Sequence, residues 1–321
     1  MLGQQGQHVR WYVRRPELRE SILALGENAT NLPGVRLPMA HLTIVPRAEE
    51  ALAGVKGALV VVPAAFLAQE WPATEVDVIR QLAWVGVAIK GLLPSGQTPC
   101  EYLAGSGGCM PTQLVTLLGP GHAEEVSTHQ PTELTLCGPT QLTHQMADCL
   151  GAPHLQWCHT PDRAGAEWAA ILKNIYAILV GYARGAGAGD NLLAALVSAC
   201  LRELEATLHL LAPLPLAQSW PPPRNVLQSV YAGDLLVTAY SQHSRNQRLG
   251  LALGQGQGQA LSTWLANGQT PPEGYFIAQS LAQRLDPLPP LLGATMQLLD
   301  PSQPVSTTPS LLELMRLCAW V

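Results

Sequence analysis

Charge is scarce in this chain. Only 13% of its 321 residues are Asp, Glu, Lys or Arg, the formal balance is −5, and the pI is near 6.0. A nucleic-acid surface needs a basic face, so that class of partner is excluded on charge. Long apolar runs are lacking as well: IYAILVGYA and LLAALVSACL fall well short of a bilayer span and are bounded by Gly, Arg or Asp. The opening stretch MLGQQGQHVRWYVRRPE has no apolar centre of the kind a secretory signal carries. Seven cysteines, an odd number with no CxxC pair, read as buried thiols of a reducing compartment. The histidines show no metal-ligand spacing, and no H-x-x-x-H pattern occurs. The expectation is a cytoplasmic, soluble protein with no metal and no membrane span.

Hydrophobic residues make up 47% of the chain, enough for two cores, and two textures divide it. Up to about residue 160, β-rich runs alternate with helical patterns. HVRWYVR (8–14), ALVVVP (58–63), WVGVAIKG (84–91), TELTLCG and LQWCHT read as strands. PELRESILALG, with Pro16 in its first turn, and AEEALAGVKG read as helices. This alternation predicts an α/β, Rossmann-like domain with a parallel sheet over residues 1–162. From 163 to 321 the pattern is all-helical, with long helices over 163–183 and 190–211, a proline-rich break at WPPPRN, and further helical pieces.

One element of such a fold has no counterpart. Open parallel sheets receive a dinucleotide on a first strand followed by G-x-G-x-x-G, where backbone amides meet the pyrophosphate. Nothing of the kind precedes HVRWYVRR, and MLGQQGQ resembles the end of the helix that would follow that turn. Without that strand the sheet is expected to lack an interior member and to hold cofactor weakly, and the chain to show weak activity or none. The glycines of GAGAGDN (185–191) follow a helix, not a strand, and read as a helix break and cap. Arg14 and Arg15 stand where the second strand of a dinucleotide fold ends. There they either accommodate the 2′-phosphate of NADP or open a helix in solvent.

The segment EWAAILKNIYAILVGYARGAGAGDN places Lys173 and Asn174 inside an otherwise apolar helix. At helical spacing Lys173 shares its stripe with Ala169, Ala170, Tyr176, Ala177 and Val180, mostly small neighbours that leave space beside it. Such a lysine either snorkels along its own stem or is held for a purpose. Lys90 follows the strand VGVAI and is expected at the carboxyl edge of the sheet, where ligands gather; the alternative is a charge that ends a strand.

Several stretches, in order, resemble one family, the bacterial-type NAD(P)-dependent glycerol-3-phosphate dehydrogenases. NLPGVRLP (31–38) is similar to that family's stretch after the second strand. VVVPAAFL (60–67) is similar to its strand-plus-VPS segment, with Ala64 in place of Ser. IKGL (89–92) resembles T-K-G-L, and LGPGHAEEV (118–126) resembles G-P-S-F-A-E-E-V, with Gly121 and His122 departing from it. The Lys173–Asn174 helix and GDLLVTAYSQHSRNQRLG (233–250) carry the most specific likeness, and PPEGYFIAQSL (271–281) resembles an E-G-x-x-T-A region.

The resemblance implies a Rossmann-like domain followed by a helical one. It also implies reversible hydride transfer between NAD or NADP and dihydroxyacetone phosphate, giving sn-glycerol 3-phosphate for phospholipid synthesis. Lys173 is the implied general acid for reduction and base for oxidation. Lys90, Gly119, Asp234, Thr238, Ser244, Arg245 and Asn246 are implied at the substrate, with the Arg-Asn pair at its phosphate. Arg14, Arg15, Lys90, Ala123, Arg245 and Glu273 are implied at the cofactor, and a homodimer enters on family grounds alone. His122 stands outside the implied catalytic set. Two other readings stay open: a non-catalytic relative that has lost cofactor binding, and a dehydrogenase of the ketopantoate or 6-phosphogluconate type.

Overall fold

A computed structural model describes residues 6–212, 224–256, 271–300 and 308–320. Residues 1–5 of MLGQQGQ and Trp220–Pro223 of the proline-rich break lie outside the described residues. The chain divides into two compact units. One gathers residues up to Ile89 together with Gln97–Arg163; the other gathers Lys90–Gly96 with Ala164 onward. Lys90 therefore belongs with the helical unit, although it follows a strand of the first.

In the first unit, β1 (Val9–Tyr12) leads into α1 (Pro16–Leu25), with Pro16 at the first helical position, where its missing N–H costs nothing. Gly26 ends α1 at φ 67°, a left-handed position that a Cβ would strain, and returns its N–H to Ile22 O. The chain continues through β2 (Leu42–Val45), α2 (Ala48–Leu52), β3 (Gly57–Val60), α3 (Leu67–Glu70), α4 (Val76–Gln81) and β4 (Trp84–Val87). Then come α5 (Pro99–Gly105), β5 (Leu114–Leu118), α6 (Ala123–Ser127), β6 (Thr132–Cys137), α7 (Thr140–Leu150) and β7 (Leu155–Thr160). Each strand expected from the sequence is present; LQWCHT forms β7 at full length, while others are shorter than their runs, and ALVVVP gives only Gly57–Val60.

The sheet departs from the expected form in two ways. Strands β1 and β2 pair in parallel as a two-stranded sheet, separate from the five-stranded order β3-β4-β5-β6-β7. The outer edges of β1 and β3 have no strand partner among the described residues, and Leu59 and Val61 are exposed beside the β3 edge. The sheet is also not parallel throughout, because β5 pairs β6 antiparallel, with Thr116 opposite Cys137. The five residues of α6 rise only about 7.5 Å, too little to carry the chain back along a strand for a parallel crossover. Helix α7 covers this part of the sheet, setting Leu142, Met146 and Leu150 against Val115 and Leu136.

The second unit is helical: α8 (Arg163–Gly185), α9 (Asp190–Leu211), α10 (Asp234–Tyr240), α11 (Arg245–Gly254), α12 (Glu273–Leu281), α13 (Pro290–Leu299) and α14 (Leu311–Trp320). Helix α8 is buried on every side from Gly165 to Ala183, which explains an apolar sequence without a polar stripe. Each fully buried Leu or Ile there contributes roughly 1.5–3 kcal/mol over leaving it in water. GAGAGDN does end one helix and open the next, with Gly187 at φ 88° and Gly189 at the N-cap of α9.

A buried acid holds this bundle together. Glu203 of α9 accepts the N–H groups of Leu291 at 2.7 Å and Leu292 at 2.8 Å, and the Tyr176 hydroxyl at 3.3 Å. Those amides open α13, whose own N-cap, Pro289, offers no side-chain acceptor, so α9 supplies the missing cap. Glu203→Ala strands two buried amides and is expected to cost about 3 kcal/mol. Urea unfolding, read as a midpoint shift at constant slope, checks it; Glu203→Gln should recover part of the loss.

Candidate active site

Within the helical unit, Lys173 lies in the buried middle of α8 and is 5% exposed. Its ammonium donates to Asp234 Oδ1 at 2.5 Å. Lys90 donates to the same carboxylate, at 3.0 Å to Oδ1 and 3.1 Å to Oδ2. Asp234 is buried and begins α10 straight after a π-helical turn, Ser229–Gly233; such local widening often accompanies functional sites. Thr238 Oγ1 donates to Asp234 O and fixes the start of that helix.

Two ammoniums thus share one buried carboxylate, Lys173 buried with it and Lys90 partly exposed, leaving the cluster one positive charge in excess. Burial lowers the Lys173 pKa to about 7; Asp234 opposes that shift and the nearby Lys90 charge adds to it. A lysine with these neighbours gives up and regains a proton near neutral pH. It does so against a carboxylate that cannot leave and a second cation that can polarise an oxygen.

A chain of amides ties the cluster to two further helices. Asn174 Nδ2 donates to Lys90 O at 3.2 Å, and Asn174 Oδ1 accepts from Asn246 Nδ2 at 2.9 Å. Asn246 Oδ1 in turn accepts the Gly274 N–H at 3.0 Å. Asn246 is therefore engaged with protein at both ends of its amide, more than the sequence led one to expect. Ser244 caps α11 by accepting the Gln247 N–H, while Arg245 beside it is exposed. Glu273 opens α12 with its surface reaching solvent, yet its crowded surround raises its carboxyl pKa, opposed by the charges of Lys173, Arg245 and Lys90. Lys90, Lys173, Asp234, Thr238, Arg245, Asn246 and Glu273 are thus gathered in one unit by three interhelical links.

The remaining expected residues lie in the first unit. Arg15 is the N-cap residue of α1, and its side chain has no partner among the described residues. Arg14 pairs with Glu70 at 3.1 Å. Gly119 follows β5 at φ 121°, and Ala123 is the first residue of α6, with His122 just ahead of it.

Sequence reading overlooked the means by which α11 is set against α8. A Cβ at Gly250 would lie 2.0 Å from Ile178 O, and one at Gly254 2.1 Å from Tyr182 O. Across the contact, a Cβ at Gly181 would lie 2.3 Å from Gln247 O, and one at Gly185 2.2 Å from Leu251 O. The two backbones touch through paired G-x-x-x-G segments, GYARG and GLALG, a spacing that was legible in the sequence.

Comparison with known proteins gives a consistent set of likenesses. Residues 162–308 match the family described as NAD-dependent glycerol-3-phosphate dehydrogenase C-terminus, and residues 1–143 match the N-terminus of the same name. Glycerol-3-phosphate dehydrogenase [NAD(P)+] of Thermus thermophilus is 33% identical over 269 residues, 80% of this chain and 75% of that protein. The protein of that name from Moorella thermoacetica is 35% identical over 261 residues, 80% of this chain and 73% of its own. Among solved structures, glycerol-3-phosphate dehydrogenase from Coxiella burnetii aligns with a TM-score of 0.82 and 26% identity, covering 98% of this chain and 93% of that one.

Proposed function

Because the chain belongs to the NAD-dependent glycerol-3-phosphate dehydrogenase family, we propose that it reduces dihydroxyacetone phosphate reversibly to sn-glycerol 3-phosphate, a precursor of glycerophospholipids. Membership makes it an oxidoreductase that uses NAD or NADP. The single observation that carries the finer reading is the Lys173–Asp234–Lys90 cluster: a buried lysine that titrates near neutrality, beside a second ammonium.

A ketone that gains a hydride develops negative charge on oxygen and then needs a proton. Lys173, as an ammonium, donates that proton, and as an amine it takes one back in oxidation. Lys90 draws the carbonyl oxygen and holds the developing charge, while Asp234 fixes both ammoniums. Arg245 offers a planar fork of donors to a phosphate, and the remaining Asn246 N–H, Thr238 and Ser244 complete that end. The bound nicotinamide cofactor supplies the hydride. Two guanidiniums at the carboxyl end of a parallel strand, with Arg15 unengaged among the described residues, fit the adenosine end of such a molecule. Gly119, Ala123, Glu273 and Arg245 are assigned to the same ligands on family likeness. Among the described residues no helix is long and apolar enough to cross a membrane. A cytoplasmic location and a homodimer belong to the same proposal.

The pH dependence tests the assignment of Lys173. Reduction needs the ammonium, so kcat/KM for dihydroxyacetone phosphate is expected to be level below pH 7 and to fall about tenfold per unit well above it. Oxidation of glycerol 3-phosphate needs the amine, so its profile should rise up to about pH 7 and level off beyond. Profiles with no break between pH 6 and 8 would remove Lys173 from the proton transfer.

A further inference from the structure

A second charged assembly lies in the first unit, where parallel strands end. Tyr12 is the last residue of β1 and Arg14 follows it, whereas Phe66 and Glu70 follow β3. The Arg14 guanidinium lies over the Phe66 ring, 4.6 Å from its centre, and donates to Glu70 Oε1 at 3.1 Å. The Tyr12 hydroxyl donates to the other carboxylate oxygen, Glu70 Oε2. These contacts tie the carboxyl end of β1 to the turn and short helix α3 that follow β3, and the carboxyl end of a strand is where open α/β sheets receive ligands.

Glu70 is gripped from two sides and cannot turn away. Its side chain is 9% exposed, against 45% for Arg14. The Tyr12 phenol is pushed up to about 12, by burial first and then by its bond to Glu70, so it remains a donor throughout the working range. Arg14, Arg15 and Glu70 together carry one net positive charge where the two arginines alone would carry two. One face of the Arg14 plane is covered by Phe66 and one edge is committed to the carboxylate.

We infer that Glu70 sets the balance between NADP and NAD by engaging Arg14, leaving Arg15 as the main grip on a 2′-phosphate. The inference rests on the cofactor reading proposed above, with Arg14 and Arg15 at the adenosine end. A 2′-phosphate brings about two negative charges toward a site that already holds a fixed carboxylate, and it must share Arg14 with that carboxylate. NAD brings a neutral hydroxyl at the same place and is almost indifferent to Glu70. Partly exposed charges a few ångströms apart interact modestly after screening, so removing the carboxylate charge should change NADP affinity by roughly tenfold.

The test is calorimetric titration of the full chain with NADP+ and with NAD+, neither of which reacts without substrate. In Glu70→Gln the ratio of dissociation constants is expected to move about tenfold toward NADP+, with NAD+ binding altered by less than about twofold. In an Arg14→Met background the same substitution should produce a clearly smaller shift, because only the direct repulsion between carboxylate and phosphate is left to relieve; a shift as large as in the parent would show that Glu70 does not act through Arg14. Independently of whether Glu70→Gln folds, Arg15→Met should weaken NADP+ binding more than Arg14→Met does. Equal losses from the two arginines, or a Glu70→Gln ratio that stays put, would overturn the inference. Failure of the unmodified chain to bind either dinucleotide would instead overturn the cofactor reading, and the inference with it.

Discussion

Replacing Lys173 by Met is expected to lower turnover of dihydroxyacetone phosphate by about 10³–10⁴-fold while leaving the protein at least as stable as before. The kinetic part follows from removing the proton donor, an effect on the order of 10²–10⁴, together with the charge that helps to hold the developing alkoxide. The stability part follows from the count of charges around Asp234. Two ammoniums compete for one carboxylate, and Lys173 is the more deeply buried of them. Taking it away leaves Lys90 and Asp234 as a matched pair and fills the space with an unbranched apolar chain. Asp234→Asn should behave oppositely, because it strands two ammoniums and lowers the melting temperature as well as the rate. Steady-state kinetics beside thermal melts of both variants read the contrast. A Lys173→Met protein that melts well below the parent, with its rate loss explained by unfolding, would mean the lysine is structural.

Gly250→Ala is expected to cost about 2–4 kcal/mol and to lower kcat/KM by a further one to two orders of magnitude in the molecules that remain folded. The added methyl would stand 2.0 Å from Ile178 O and 2.8 Å from Tyr182 N. Both are backbone atoms inside α8, so no rotamer change relieves the overlap and α11 must move outward. Helix α11 carries Arg245 and Asn246, and the Asn246–Asn174 and Asn246–Gly274 bonds would stretch with it. Gly189→Ala is the control: a Cβ there meets nothing within 4 Å, and its cost should be a small fraction of that at Gly250. Urea midpoints, together with KM for the phosphate-bearing substrate, separate lost packing from a displaced site. Equal effects at positions 189 and 250 would show that glycine entropy, not helix contact, governs this region.

Local order in the sequence carried the strand and helix pattern well. Pro16 at the start of α1, the apolar run before Lys90 and the glycines of 185–191 each mark a boundary that the chain uses, since each acts through its own backbone or immediate neighbours. The antiparallel β5–β6 pair was not legible in the same way, because strand direction depends on how far a thirteen-residue connection can travel, not on strand composition. At the site, Lys173 announced itself as a charge among alanines. Asp234 and Lys90 were implied only by the family resemblance: Asp234 is 61 positions away and Lys90 is 144 from Asp234, so spacing alone does not show that they share a carboxylate with Lys173. Glu203 caps a distant helix, a role that its own stretch of sequence does not reveal. The paired G-x-x-x-G segments could have been found by spacing, but only the packing shows that they face one another.

The central claim is that this chain moves a hydride between a nicotinamide dinucleotide and dihydroxyacetone phosphate. The most direct measurement follows absorbance at the reduced-nicotinamide band with NADH and with NADPH, adding dihydroxyacetone phosphate, ketopantoate or no ketone to the folded protein. Oxidation of either dinucleotide that depends on dihydroxyacetone phosphate, yields glycerol 3-phosphate and vanishes in Lys173→Met is the expected result. Turnover of ketopantoate in its place, or a folded chain that binds dinucleotide yet oxidises neither form with any ketone, would contradict it.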